Sequence, residues 1–467
     1  MTEPHELSAM EQVAAVRRGE LGPSELVEHA LRRIERLDPV VNAFVTVIPE
    51  RALEAAKAAE KVLASRPEKV PPLLGAPTAI KDLAITAGVR TTFGSRVYAD
   101  FIPDSDDDAV RLLSEAGTIS LGKTAVPEFG LPPYTEPAGR PPTVTPWDTK
   151  LLAGGSSGGA GAAVAAGMIP FAQGTDGGGS IRIPASVCGL VGLKTTRGLV
   201  SRGPAGGDPL GLSVSGPLAR TVADAKAMLD ALAVYVPGEP FNQPAGRNTK
   251  TGSRLRIGRY ATPPIPDVPV DPACLAAYER AGRLLESLGH DVEDADPGID
   301  IDLATVFETL WAVLAHGTPV PEDKEGQLQP LTRWWRDKGR AITGPRFLAA
   351  AQAAQSAARK VIAAHARYDV VLTPTLAQPP RPVGWFTDPG DPAEDYRRQM
   401  AFTPFTALYN ITGQPALNLP LHWTTDDRTL PIGVQLVGLP GAENLLLELG
   451  AALEAAAPWA DRRPPTW

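Results

Sequence analysis

Residues 154–198, GGSSGGAGAAVAAGMIPFAQGTDGGGSIRIPASVCGLVGLKTTRG, constrain this chain more than any other stretch. The segment is almost free of bulky polar side chains, yet glycine runs deliver serines twice. Gly154 and Gly155 precede Ser156 and Ser157, and Gly177, Gly178 and Gly179 precede Ser180. Glycine runs reach backbone conformations closed to other residues and let a ligand approach main-chain N–H groups. A flexible Gly/Ser linker shares part of this composition. A linker, however, would not hold the apolar, helix-like run AGAAVAAGMIPFA between its turns, nor the strand-like VCGLVGLK after them. The pattern points to two serines placed by turns, a nucleophile and a helper.

The 467 residues allow two or three domains or one large α/β unit, and 43% apolar residues supply a substantial core. A net charge of −8, with no clustered Lys and Arg, argues against a nucleic-acid surface. Two cysteines, Cys188 and Cys274, make no disulfide framework. The start, MTEPHELSAMEQ, lacks the apolar core of a secretory signal, and no run approaches the roughly 20 apolar residues of a membrane span. The expectation is a soluble, cytoplasmic protein with no membrane or nucleic-acid partner, a monomer or homodimer acting on a small molecule.

Along the chain, Ser8 and Ser24 are expected to cap two amphipathic helices within residues 6–60, NAFVTVI reads as a short strand, and Glu50–Ala64 reads as a third helix. In LLGAPTAIKDLAI, an apolar run ends on Lys81 and reads as a buried strand. A capped helix (DSDDDAVRLLSEAG) and a strand (TISLGKT) follow, then a Pro-rich irregular loop over 131–150. Past the glycine-rich stretch, TVADAKAMLDALAVY reads as a helix and residues 237–253 as a linker. RLRIGRY, HDVEDAD, YDVVLTPT, FTALYNITGQPALNLPLHW and PIGVQLVG read as strands, with helices at DPACLAAYERAGRLLESLG, across 302–367 and at ENLLLELGAALEAAA. This alternation predicts an α/β/α layered fold: a central mixed, twisted sheet with helices on both faces.

Two short motifs are deceptive. Residues 117–124, GTISLGKT, fit G-x-x-x-x-G-K-[ST], which would make the chain a nucleotide-binding protein. A phosphate loop needs a strand before it and a helix after it. Here a helix precedes, the x positions are strand-like and Pro127 follows, so Lys123 reads as a surface or structural lysine. Residues 154–158 fit G-x-S-x-G, but none of His5, His29, His290, His316, His365 and His422 has a revealing context for a Ser–His–Asp triad. The same histidines show no i,i+4 pairing, so no metal is expected.

GGSSGG, GTDGGGSIRIPAS and GLVGLKTTRG together resemble the amidase signature family, and GAPTAIKDL, GKTAVPEFG, GPLARTVADA, VVLTPT, TGQPALNLP and PIGVQLVG agree in order. The resemblance implies one amidase signature domain over 1–467, with an N-terminal helical segment (1–65), a signature core (73–236) and a C-terminal part (254–467). It implies a serine hydrolase of amide C–N bonds that needs no cofactor. Its Ser–cis-Ser–Lys triad matches Ser180 as nucleophile, Ser156 as bridging serine and Lys81 as base. Main-chain N–H groups of Gly177, Gly178, Gly179 and Ser180 match the oxyanion hole. Gly177 departs from the family pattern, which commonly has an apolar residue or Thr there.

The chemistry is consistent on its own terms. A serine hydroxyl needs a base to become a nucleophile, and lysine serves only as a neutral amine, a state that burial favours. Ser157 reads as a hydrogen-bonding neighbour that supports the site, and Asp176 and Arg182 read as a pair tying down the nucleophile's turn. Gly130, Leu131, Tyr134, Ser157, Trp311 and Phe405 are candidate substrate contacts, with Trp334 and Trp335 as further candidate pocket walls. Aromatic residues in these segments suggest aryl amides or aryl carbamates (urethanes), both within the family's range. The family also contains glutaminase subunits of tRNA-dependent amidotransferases. Those carry a Tyr-rich helix where this chain has FLAAAQAAQSAARK.

Overall fold

The computed structural model describes residues 2–65, 68–204, 208–239, 241, 254–299, 301–426 and 428–467. Most of the linker expected at 237–253 lies outside them. Strands β1 (Phe44–Val47), β2 (Pro77–Lys81) and β3 (Ile119–Thr124) form a small sheet in the order β1-β3-β2, with β2 parallel to β3. The remaining strands are β4 (Phe171–Asp176), β5 (Val191–Lys194), β6 (Val214–Ala219), β7 (Arg256–Arg259), β8 (Asp291–Asp294), β9 (Val370–Pro374), β10 (Ala416–Trp423) and β11 (Pro431–Gly438). They form one eight-stranded sheet in the order β4-β6-β5-β10-β11-β9-β7-β8. Within it, β9/β7 and β7/β8 pair in parallel and every other pair is antiparallel, so the sheet is mixed as expected.

Strand side chains alternate between faces, and here the neighbours alternate between apolar clusters. Phe171 and Ala219 pack in one cluster, while Ala172 and Leu218 pack in another. The first cluster is closed by helices Val222–Leu232, Pro272–Ser287 and Glu443–Ala456, and the second by Gly158–Ala165 and Arg182–Cys188. Both faces are therefore covered, which explains why most strands read as continuous apolar runs. A third cluster joins Val371 and Val437 to helices Leu303–Gly317 and Gly344–His365. No described helix is long and apolar enough to cross a membrane.

Local chemistry accounts for the helix ends. Ser8 caps Ala9–Arg18 in a capping box with Glu11, and Gly19 closes that helix in the left-handed conformation. Ser24, expected as a cap, lies inside helix Pro23–Val41, whose cap is Gly22. Pro23 takes the first helical position, where a missing N–H costs nothing. In VCGLVGLK, Val187 and Cys188 finish a helix that left-handed Gly189 ends, and the strand starts only at Val191. FTALYNITGQPALNLPLHW likewise holds a short helix, Ala407–Thr412, before its strand.

The helix that follows the serine pair, Gly158–Ala165, is buried along its whole length and has no polar side chain. Close approach makes this possible. The Gly159 N–H donates to Ala125 O at 3.1 Å, and a Cβ at Gly159 would lie 2.3 Å from Ala125 N and 2.4 Å from Ala43 O. Gly159→Ala should push this helix off the small sheet and cost about 3 kcal/mol, as overpacked cores do. Urea denaturation checks this through a lowered midpoint.

Candidate active site

Lys81 ends β2, which packs against β4, and its side chain is fully buried. Its Nζ lies 2.9 Å from Ser156 Oγ, 2.8 Å from Thr175 Oγ1 and 3.2 Å from Thr175 O. Burial pushes the amine well below the ordinary lysine range. Asp176 opposes that shift through space and Arg202 adds to it. The Gly155–Ser156 peptide bond is cis, as is Gly203–Pro204. Gly130, at φ +69°, makes room for Ser156, since a Cβ there would come 3.1 Å from Ser156 Oγ and 2.6 Å from Leu83 Cδ1.

Ser180 follows β4 on a turn built around the Asp176 carboxylate. Asp176 Oδ1 accepts from Gly179 N–H at 2.8 Å, and Oδ2 accepts from Ile181 N–H at 3.2 Å. Arg182, completely buried, donates to both oxygens, Nε to Oδ2 at 2.9 Å and Nη2 to Oδ1 at 2.8 Å. Its other N–H groups reach Thr406 O, Gln435 Oε1 and Asn410 Oδ1. Burial alone would raise the Asp176 carboxyl, but the Arg182 guanidinium outweighs it and holds the group below the usual carboxylate range. The expected pairing of Asp176 with Arg182 is thus the frame of the turn.

The four N–H groups matched to an oxyanion hole do not stand alike. That of Gly179 is taken by Asp176, which corrects its inclusion. Those of Gly177, Gly178 and Ser180 have no acceptor among the described residues. Ser157 is buried and faces away from the cavity. Its Oγ donates to Thr175 O at 3.1 Å, and its N–H donates to Ser180 O at 3.2 Å, tying the two serine segments together.

Ser156 and Ser180 line one cavity of about 520 Å³, with Gly130, Leu131, Gly177 and Trp311 also on its wall. Tyr134 and Phe405, expected to touch substrate, do not line it. Tyr134 is buried, stacks on Phe386 at 4.5 Å and donates to Asp395 Oδ2 at 2.6 Å, and Phe405 belongs to the third apolar cluster. Trp334 and Trp335 pack with Tyr396 away from it. Sequence reading missed the main apolar wall: Phe93, Tyr98, Phe101 and Phe129, which meet largely edge to face. Three of the four stand in the stretch FGSRVYADF, whose aromatic content was the available signal.

The two deceptive motifs also resolve. Residues 119–124 are strand, not a phosphate loop, and Lys123 is buried. Its Nζ donates to Ala84 O, Thr86 Oγ1 and Thr91 Oγ1 and lies 4.0 Å from Asp82 Oδ1. No histidine lines the cavity. His5 and His29 do meet, Nδ1 to Nε2 at 3.0 Å, with Glu3 close by, in a group that could hold an ion. Burial and the neighbouring Arg33 hold His5 down at about 3.

Arg182→Met would leave the Asp176 charge buried and unpaired, at an expected cost of about 3–5 kcal/mol. Because the folded-state value of Asp176 is lowered, the pair's contribution is present above the unfolded value and is lost as pH falls through the folded one. Urea denaturation of wild type and variant should show a gap that is full at neutral pH and narrows in acid.

A family model described as Amidase matches residues 25–447. The chain is 40% identical to the AmiB2 protein of Mycobacterium tuberculosis, over 96% of this chain and 95% of that one. Among solved structures, a 6-aminohexanoate cyclic dimer hydrolase complexed with substrate superposes with a TM-score of 0.90 at 32% identity, covering 99% of each chain. A bacterial aryl acylamidase of the amidase signature family superposes at 0.88 and 27% identity, covering 98% of each. The site geometry and these likenesses converge, and the chain belongs to the amidase signature family of hydrolases, which cleave amide C–N bonds.

Proposed function

We propose that the chain hydrolyses aryl amides or aryl carbamates through an acyl-enzyme on Ser180, with Ser156 and Lys81 as the proton relay. The observation that carries this reading is the set of partners around Lys81 Nζ. A neutral amine has two N–H donors and one lone pair. Thr175 O and Thr175 Oγ1 accept the two N–H groups, which leaves the lone pair for the Ser156 hydroxyl. Among the described residues no carboxylate touches the amine to hold it as a cation, and burial disfavours the charged form.

In the forward step, Ser180 Oγ bonds to the substrate carbonyl carbon as its proton passes to Ser156 Oγ, whose own proton passes to Lys81 Nζ. The carbonyl electron pair moves onto oxygen. The N–H groups of Gly177, Gly178 and Ser180 are the donors available to that oxyanion, and one such donor typically contributes about 3 kcal/mol. Collapse breaks the C–N bond. The leaving nitrogen takes a proton from Ser156, which regains one from the Lys81 ammonium. Water then attacks the Ser180 ester through the same relay and returns the proton to Ser180 Oγ.

The aromatic wall supports an aryl group as the apolar part of the substrate. The relatives named above, one for aryl acylamides and one for a cyclic 6-aminohexanoate dimer, bracket that choice. Comparing nitroanilide, primary-amide and carbamate hydrolysis tests it, and activity confined to small primary amides would remove the aryl reading.

Ser180→Ala should abolish turnover, and a fluorophosphonate should add its mass to the peptide containing Ser180 in wild type only. Lys81→Met should also abolish turnover. The value for Lys81 is lowered, so kcat/KM should rise with pH well before the ordinary lysine value of about 10.4 and fall in acid as the amine gains a proton. Labelling at any other residue would overturn the assignment.

A further inference from the structure

Beside its apolar wall, the cavity is lined by three charged residues: Asp107, Asp208 and Arg202. Asp208 is committed to the backbone, with Oδ1 accepting from Leu210 N–H and Oδ2 from Ser213 N–H. Asp107 is committed only in part. Its Oδ2 accepts from Ile85 N–H at 3.0 Å and its own N–H donates to Ile85 O at 3.1 Å, which fixes it to the segment following Lys81. Its Oδ1 is shielded from bulk water and has no partner. Asp107 occupies the N-cap position of helix Asp108–Glu115, yet its side chain makes no capping bond. The usual local use of an aspartate at that position is therefore not made.

Arg202 is the counterpart. Its guanidinium has five donors, and among the described residues its one hydrogen bond is from Nη1 to Ser213 Oγ at 2.8 Å. No carboxylate forms a salt bridge with it among the described residues. Arg202 is near enough to lower the Asp107 carboxyl, which burial has pushed up to about 6, and to act on Lys81. The Asp108 N–H donates to Gly203 O at 2.8 Å, which sets the Asp107 and Arg202 segments side by side, and both residues line the cavity that holds Ser156 without forming an ion pair with each other. A lone ammonium placed there would face Arg202, and a lone carboxylate would face Asp107. A neutral group with one N–H donor and one C=O acceptor satisfies both.

We propose that Asp107 and Arg202 form a recognition site for a second amide-type group, CO–NH, on the substrate, with Asp107 accepting its N–H and Arg202 donating to its C=O. This rests on the hydrolase reading above and narrows its substrates to amides carrying a further amide or carbamate beyond the scissile bond.

Binding to the Ser180→Ala protein, measured by calorimetry, tests the site without turnover. The ligands are the diamide N-acetylglycine anilide and its isostere 4-oxo-N-phenylpentanamide, a ketone with CH2 in place of the second NH, with benzylammonium and benzoate as charged controls. The amide should bind about tenfold more tightly than the ketone. Adding Asp107→Asn should bring amide and ketone to within about threefold of each other. Adding Arg202→Gln should instead weaken amide and ketone together, because both carry the C=O. Thermal melts establish that each variant is folded, and if the Asp107 variant is not, the Arg202 variant decides alone. An amide-to-ketone ratio unaltered by Asp107→Asn, an Arg202→Gln variant that binds both ligands as before, or tighter binding of benzylammonium or benzoate than of the amide would each overturn the proposal. Residual hydrolysis by Ser180→Ala would instead count against the nucleophile assignment and leave the binding comparison intact.

Discussion

A guanidinium removed wholly from water is tolerable only when every donor it carries is met, and Arg182 satisfies that condition with all five N–H groups. The rest of the site follows from where those five bonds go. Two hold the Asp176 carboxylate, around which the glycine turn folds. The others reach Thr406, Asn410 and Gln435, so the turn is bolted to a helix and to β11 more than 200 residues further along the chain. With Asp176 drawing Gly179 and Ile181 inward, the N–H groups of Gly177, Gly178 and Ser180 are left without internal partners. A site that must meet a developing negative charge needs donors of that kind, fixed beforehand and unspent.

The small sheet shows how context separates two lysines of the same chain. Lys81 and Lys123 sit on neighbouring parallel strands, in register with Thr124 and Ile80 respectively, so their side chains leave opposite faces. Both are buried, and burial lowers both amines. Lys123 keeps a carboxylate, Asp82, at its side, while Lys81 meets only hydroxyls and a carbonyl. Coulombic support retains charge on the first, near 8, and its absence at contact distance leaves the second as the candidate base.

Much of this was legible in the letters. The apolar run into Lys81, the glycine turns before Ser156 and Ser180, and the strand–helix alternation carried enough local signal to place most elements and to single out these three side chains as candidates. What failed did so for physical reasons. Tyr134 and Phe405 are large aromatics in loop-like segments, and nothing in their neighbours distinguishes a cavity wall from core packing. Ser24 has the right chemistry for a cap, but the adjacent Pro23 fixes the helix start two residues earlier, with Gly22 as the cap. That the Gly179 N–H is already occupied depends on the side-chain torsion of Asp176, which no residue pattern encodes. The meeting of His5 with His29 is likewise a tertiary event between segments 24 residues apart.

One feature of the cavity bears on how such an enzyme changes. Leu83, Ile85, Phe93, Tyr98, Phe101 and Asp107 all come from the single stretch between β2 and the helix at Asp108–Glu115. The proposed proton relay and its frame instead span Lys81, the glycine-rich turns and the distant residues that clamp Arg182. A large share of the cavity wall is therefore encoded in one short piece of the gene, joined by Phe129, Arg202 and Trp311 from elsewhere. Exchange or drift within some 25 codons could redirect such a catalyst to new molecules, while the part that severs the bond is inherited untouched.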